Sequence, residues 1–215
     1  SKGYSWTVGL EGRTRAMIEL VVASKNKGKI AEFEKAFSQL PVKVLSLKDF
    51  GDIPEAVEDG ATFAENARKK AQHYLQYTKK PCLADDSGLE ADALGGSPGV
   101  FSARYAGEGA DDAANNAKLL QKMADVESKR RTGRFRCALA LAFPDGRMLE
   151  AEGTVEGRLL MAEKGDGGFG YDPLFFLPEL AKTFAELTLA EKNAISHRGK
   201  AISAMAAKLV EAELK

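Results

Sequence analysis

Two adjacent carboxylates, Asp85 and Asp86, follow the apolar run Cys82-Leu83-Ala84 and lead into Ser87-Gly88. Carboxylates at the end of a buried strand cost free energy unless a cation or hydrogen bonds compensate them. Hard oxygen ligands of this kind suit Mg2+, which keeps several waters and bridges to substrate phosphates. A carboxylate beside such an ion can also take a proton from an attacking water. The competing reading is a tight Asp-Ser-Gly turn whose acids cap backbone N–H groups. Glu55, Glu58 and Asp59 are further candidate ligands, although each taken singly reads first as a solvated loop acid.

Three more segments carry chemistry. Ser24-Lys25-Asn26-Lys27-Gly28-Lys29 offers a hydroxyl, lysines and free backbone N–H groups, which can converge on phosphate oxygens at the positive end of a helix. It reads equally as an ordinary polar N-cap, and it is not a P-loop, since G-x-x-x-x-G-K-[ST] is absent. Gly168-Phe169-Gly170-Tyr171-Asp172 interleaves rings with glycines, so an aromatic can stack a base while the backbone approaches closely. By itself it would pass for a hydrophobic turn. The last segment is Lys192 with Ser196-His197-Arg198-Gly199. On one unbroken helix, at ~100° per residue, Lys192, His197 and Arg198 point in three separate directions. They serve one site only if the helix breaks. Ser196 is a good N-cap, so the sequence predicts a short helix from Thr188, a break near Ser196 and a second helix from His197. The alternative is one continuous amphipathic helix, because Ile195, Ile202, Met205 and Leu209 stay in phase. With only His73 and His197 available, a His-based metal site or triad is not expected.

The elements that must position these residues alternate between strand and helix. Ile18 to Ala23 is a short apolar run suited to a buried strand, and Ile30, Phe33, Phe37 and Leu40 then recur at helical spacing. A second strand is expected over Val42 to Leu47. Thr62 to Glu65 has the form of a capping box, with Phe63, Ala67, Ala71 and Tyr74 on one face behind it. Pro81 to Ala84 reads as a strand ending in an acidic turn, and Leu89 to Leu94 continues beyond it. A helix follows around Ala113 to Ala124. Phe135 to Phe143 is a strand packed on both faces, joined through the hairpin signal Pro144-Asp145-Gly146 to a partner near Met148 to Val155. The chain closes on helix, opened by a second capping box at Thr188 to Glu191.

Bulk properties narrow the partners. The 215 residues carry 31 Lys plus Arg against 31 Asp plus Glu, and this balance argues against polymeric nucleic acid, which selects a basic surface. A single nucleotide needs only a local basic pocket. No apolar run approaches the length of a membrane span. Cys82 and Cys137, each inside an apolar run, read as small buried hydrophobes of a reducing, cytoplasmic compartment. Residues 1–16 read as a poorly ordered leader ahead of a natural start at Met17, and 17–215 as one domain.

Taken in order, Ser24-x-Asn26-x-x-Lys29, Ala84-Asp85-Asp86-Ser87-Gly88-Leu89, Gly95-Gly96-x-Pro98-Gly99, Gly168-Phe169-Gly170-Tyr171-Asp172-Pro173 and Ser196-His197-Arg198-Gly199 resemble the inosine triphosphate pyrophosphatase family, the dITP/XTP pyrophosphatases. The resemblance runs from about Glu19 to about Lys208. It implies an elongated α/β fold with a long mixed central sheet, two lobes with a cleft between them, and a homodimer. It implies cleavage of non-standard purine nucleoside triphosphates (ITP, dITP, XTP) to the monophosphate and pyrophosphate. By the same resemblance Ser24, Asn26 and Lys29 hold phosphates, Lys70 is a further phosphate contact, Glu58 and Asp86 hold Mg2+, and Asp86 activates water. Ser87 touches the substrate, while Phe169, Gly170, Tyr171, Asp172, Lys192, His197 and Arg198 surround the purine and its phosphates. Ser24 stands where the family more often has threonine, and Lys25 adds a charge to the phosphate loop. The competing functions are a pyrophosphatase for other modified or pyrimidine nucleotides, and a nucleotide-sensing module without catalysis. The acid set Glu58, Asp85 and Asp86 speaks against the sensor, because binding alone does not require it.

Overall fold

The computed structural model describes residues 4–8 and 14–213. Its elements are β1 (Tyr4–Val8), β2 (Thr14–Val22), α1 (Lys27–Ala36), β3 (Val42–Ser46), α2 (Phe63–Thr78), β4 (Cys82–Ala91), α3 (Asp112–Lys122), β5 (Thr132–Ala142), β6 (Met148–Leu159), β7 (Phe175–Leu177), β8 (Lys182–Thr183), α4 (Leu189–Ile195) and α5 (His197–Glu213). Eight strands form one sheet in the order β1-β2-β4-β5-β6-β7-β8, with β3 also on β2. The β2–β3 and β2–β4 pairs are parallel and the others antiparallel, so the mixed α/β sheet expected from the sequence is present.

Two expectations need correction. The leader was expected to lack order, yet Tyr4–Val8 pairs antiparallel with β2 from Tyr4↔Ile18 to Val8↔Thr14. β3 pairs β2 only from Ile18 onward, so the backbone of 14–18 needs another partner, and Tyr, Trp, Thr and Val are strand formers. Residues 1–3 and 9–13 of that segment lie outside the described residues. The acidic turn is the second correction. Asp85, Asp86, Ser87 and Gly88 lie inside β4, paired with β5 from Asp85↔Leu139 to Gly88↔Arg136. A Ser-Gly step after two acids mimics turn chemistry, but ten consecutive pairs with β5 hold the chain extended.

What opens the site is a change of neighbour along β4. β2 and β4 pair only at Val21↔Cys82 and Val22↔Leu83. Past Leu83 the β4 edge away from β5 has, among the described residues, no adjacent strand until Glu90 meets Pro98. Two cores anchor this stretch from either end. Leu20, Val22, Phe33, Phe37, Leu83, Leu139, Leu141 and Met205 belong to one, and Leu89, Leu119, Met123, Phe135, Phe175 and Phe184 to the other. Each such fully buried side chain contributes about 1.5–3 kcal/mol. Leu83 and Leu89 thus pin both ends of the acidic stretch, one in each core.

Helix α2 packs across the sheet through small residues. Phe63, Ala67 and Ala71 meet Ala84, Ala138, Ala140 and Ala142, which explains the alanines of β5. Thr62 caps α2 by accepting from Glu65 N, while Glu65 Oε2 accepts from Ala61 N at 2.8 Å. The second capping box, at Thr188 and Glu191, closes in both directions. Both cysteines are free and buried. Among the described residues no helix is long and apolar enough to cross a membrane.

Candidate active site

The segment expected to hold phosphate lies where β2 hands over to α1. Asn26 is the N-cap of α1, its side chain accepting from Lys29 N at 3.1 Å, and Ser24 Oγ accepts from Asn26 N at 3.0 Å. Lys25, Asn26, Lys27 and Gly28 are exposed. Lys29 turns inward, with Nζ 3.0 Å from Asp85 Oδ1. Burial alone would raise the Asp85 pKa, but Lys29, Lys70 and Arg198 together hold it below the ordinary carboxylate value. Asp85 is therefore a buried, ionised, paired acid.

Asp86 is in a different state. Its Oδ1 accepts from Ser87 N at 3.1 Å, and its buried Oδ2 has no hydrogen-bond partner among the described residues. Burial pushes its pKa up to about 6; Asn66 and Lys70 pull down, while Glu58 and Asp85 push further up. Lys70, on α2, reaches Glu58 Oε1 at 2.9 Å and the Asp85 carbonyl at 2.8 Å. Burial would lower the Lys70 pKa, yet Asp85, Glu58 and Asp86 raise it overall, so it stays an ammonium. Asn66 fixes the approach of the Glu58 loop by accepting from Gly60 N at 2.7 Å. Asp59 instead pairs with Lys69, and Glu55 is exposed, so neither joins the acid pair.

Directly past Asp86, Ser87 and Gly88 line a cavity of about 230 Å³. Its other walls include Phe135, Phe169, Gly170, Tyr171, Asp172, Lys192, His197 and Arg198. The helix break makes this possible. Ser196 takes an extended backbone (φ −64, ψ 152) between α4 and α5, and its Oγ accepts from Gly199 N at 3.0 Å. Gly153 of β6 lets the first turn of α5 sit against the sheet, since a Cβ there would collide with His197 O and Ala201 N. The His197 ring stacks on Phe135 (5.0 Å, 18°). Burial lowers its pKa to about 3, with Arg198 and Lys192 adding to the effect, so the imidazole is neutral. His197 Nδ1 and Arg198 Nε are buried without hydrogen-bond partners among the described residues. Lys192 Nζ lies 2.6 Å from Asp172 Oδ2 and 4.3 Å from the Phe169 ring centroid. A larger hollow of about 640 Å³ near Val155, Leu177 and Ile195 shares no residue with this cavity.

An acid pair with two lysines thus adjoins a partly aromatic cavity with unsatisfied nitrogen groups. The model of the Ham1 family matches residues 20–208. The chain belongs to the Ham1 family. It is 54% identical over 185 residues to the dITP/XTP pyrophosphatase of Desulforamulus reducens, covering 86% of this chain and 92% of that protein. It is likewise 54% identical over 187 residues to the dITP/XTP pyrophosphatase of Geobacter sulfurreducens, covering 87% and 94%. The solved Ham1 protein of Coxiella burnetii superposes with a TM-score of 0.86 at 42% identity, over 91% of this chain and all of that one.

Several residues of this Ham1 site escaped the sequence reading. Asn66, Ser102, Asn115 and Asn116 are buried polar groups on the site's supports, Phe135 backs His197, and Arg104 donates to Glu58 O at 3.3 Å. Glu32 of α1 lies 3.4 Å from Arg198 Nη1. Only Asn115 and Asn116 left a local signal, two amides where the α3 pattern calls for apolar residues.

Proposed function

We propose that this chain hydrolyses non-standard purine nucleoside triphosphates, ITP, dITP and XTP, between the α- and β-phosphates to give the monophosphate and pyrophosphate. The observation that carries the reading is the buried, unpartnered Asp86 Oδ2 beside a cavity containing the unsatisfied groups of His197 and Arg198. Relatives named dITP/XTP pyrophosphatase, more than half identical in sequence, support the substrate class.

The donor set fits a divalent ion. A buried carboxylate oxygen without a partner, with Glu58 close enough to raise its pKa, is the environment a cation relieves. Mg2+ takes one or two carboxylates and completes its shell with water and phosphate, so two acids are enough to hold it. In this reading Glu58 and Asp86 hold it, and Asp85 stays with Lys29. When bound, the ion supplies charge neutralisation at the phosphates and acidifies water.

The protein's own groups do the rest. Lys29 and Lys70 receive phosphate oxygens together with Ser24 and the backbone N–H groups of Lys27 and Gly28 at the α1 N-terminus. Asp86, ionised above about pH 6, takes the proton of the attacking water as the α–β bond breaks and pyrophosphate leaves. In the cavity, Phe169 stacks on the purine, and Lys192 is held by Asp172. Donors from His197 and Arg198 meet the 6-carbonyl of hypoxanthine or xanthine. The amino group of adenine would leave them unpaired, a mismatch worth ~10⁴-fold or more in favourable cases. Homodimerisation and a cytoplasmic location belong to the same reading; light scattering of the purified chain tests the first. The test of the activity itself is turnover of ITP, XTP, dITP, GTP, ATP and dUTP with Mg2+, where the first three should lead by a wide margin.

A further inference from the structure

Phe169 is 64% exposed, so burial does not fix where its ring stands. Its position must come from the backbone on either side. On one side the loop closes on itself, since Asp172 Oδ2 accepts from Phe169 N at 3.1 Å and Asp172 N donates to Phe169 O at 3.2 Å. On the other side Gly170, in the left-handed region (φ 59), has both peptide groups taken by α3. Gly170 N donates to Asp112 Oδ2 at 2.8 Å, and Asn116 Nδ2 donates to Gly170 O at 2.9 Å. Asn116 is 3% exposed, and its Oδ1 has no partner among the described residues. An unsatisfied buried amide oxygen is costly, so the Gly170 contact gives this position a use that an apolar residue could not supply. The neighbouring Asn115 secures the facing wall, accepting from Ala106 N at 2.8 Å and donating to Ala103 O at 3.1 Å. Tyr171 OH stitches the two walls by donating to Ser102 O at 2.6 Å.

We infer that Asn116 is a positioning residue for base recognition: with Asp112 it clamps the Gly170 peptide from α3 and so sets the Phe169 ring over the base cavity. The inference rests on the nucleotide reading above for its consequence, but the clamp itself does not. Asn116→Asp is nearly isosteric and replaces the donor facing Gly170 O with an acceptor; Asn116→Ala removes it. Both variants should raise KM for ITP about tenfold, change kcat less than about threefold, and narrow the preference for ITP over ATP. Inhibition by inorganic tripolyphosphate, which has no base, should stay within about twofold of wild type. In a Phe169→Ala background Asn116→Asp should add less than about twofold. Amide exchange in residues 168–171 should accelerate in both variants while β4 exchange is unchanged, a readout independent of any substrate. Unchanged exchange at 168–171, an unmoved KM in active variants, a parallel loss of tripolyphosphate inhibition, or a full additional effect in the Phe169→Ala background would each overturn the inference. A wild-type chain inert toward ITP but showing the exchange change would instead remove the activity reading and leave the clamp standing.

Discussion

Asp85 and Asp86 are consecutive residues of one strand, yet their carboxyls are held in opposite ionisation tendencies. Lys29 Nζ, 3.0 Å from Asp85 Oδ1, keeps Asp85 below the usual range despite its burial. Asp86, with Oδ2 unpartnered, is pushed up to about 6. Alternation along β4 sends the two side chains to opposite faces, so one can anchor a lysine while the other stays available. Pairs of acids separated in this way are the usual sign of divided roles in a site.

Asp86→Asn tests that division with two readouts. Loss of a general base should lower kcat by about 10²–10⁴-fold with nucleotide still bound. Because the folded pKa exceeds the unfolded 3.8, the ionised group opposes folding, and stability falls as pH rises through about 6. In chelator at pH 7.5 the variant should therefore gain roughly 1–2 kcal/mol in urea unfolding. An active variant, or one destabilised without metal, contradicts the assignment.

Lys29→Ala removes the hydrogen-bonded partner of buried Asp85 and leaves only Lys70 and Arg198 to offset its charge, which should cost up to about 3–5 kcal/mol. Asp85→Asn in the same chain should restore part of that loss. Chemical denaturation of the two single variants and the double variant measures the coupling; simple additivity would mean that the pair is not a unit.

His197 supplies the pH test. Its folded pKa, about 3, lies below the ordinary 6.5, so the unfolded chain binds the proton more readily between those values. Its contribution to stability is full above about 6.5 and is lost as pH falls toward 3. The imidazole carbon-bound proton signal should stay at its neutral position from pH 8 down to pH 5. A midpoint near 6.5 would show a solvated ring.

Gly153→Ala places a Cβ against His197 O and Ala201 N. Moving the first turn of α5 should cost about 1–3 kcal/mol and displace His197 and Arg198 together. The expected signature is a lower melting temperature with a weakened preference for ITP over ATP. Retained selectivity would separate the α5 N-terminus from base recognition.

Local chemistry carried much of the site in the sequence. The break at Ser196 was legible because an N-cap hydroxyl and the Thr188–Glu191 capping box act within one turn, and they made a single His197–Arg198–Lys192 site geometrically possible. The acids of β4 were found but misplaced in a turn, since their extended backbone depends on β5, some fifty residues away. Asn66 and Asn116 were missed for a related reason. Asn116 answers Gly170, which no local pattern connects to α3. The amide at an apolar position of α3 was readable at Asn116, but the partner it answers was not, because a long-range contact has no periodicity.

The most direct test of the central claim follows the products of ITP hydrolysis with Mg2+ by phosphorus NMR, for wild type and Asp86→Asn. Wild type should release IMP and pyrophosphate, with ATP consumed far more slowly, and the variant should release neither at a comparable rate. IDP and orthophosphate as first products, or ATP consumed as fast as ITP, would contradict the account.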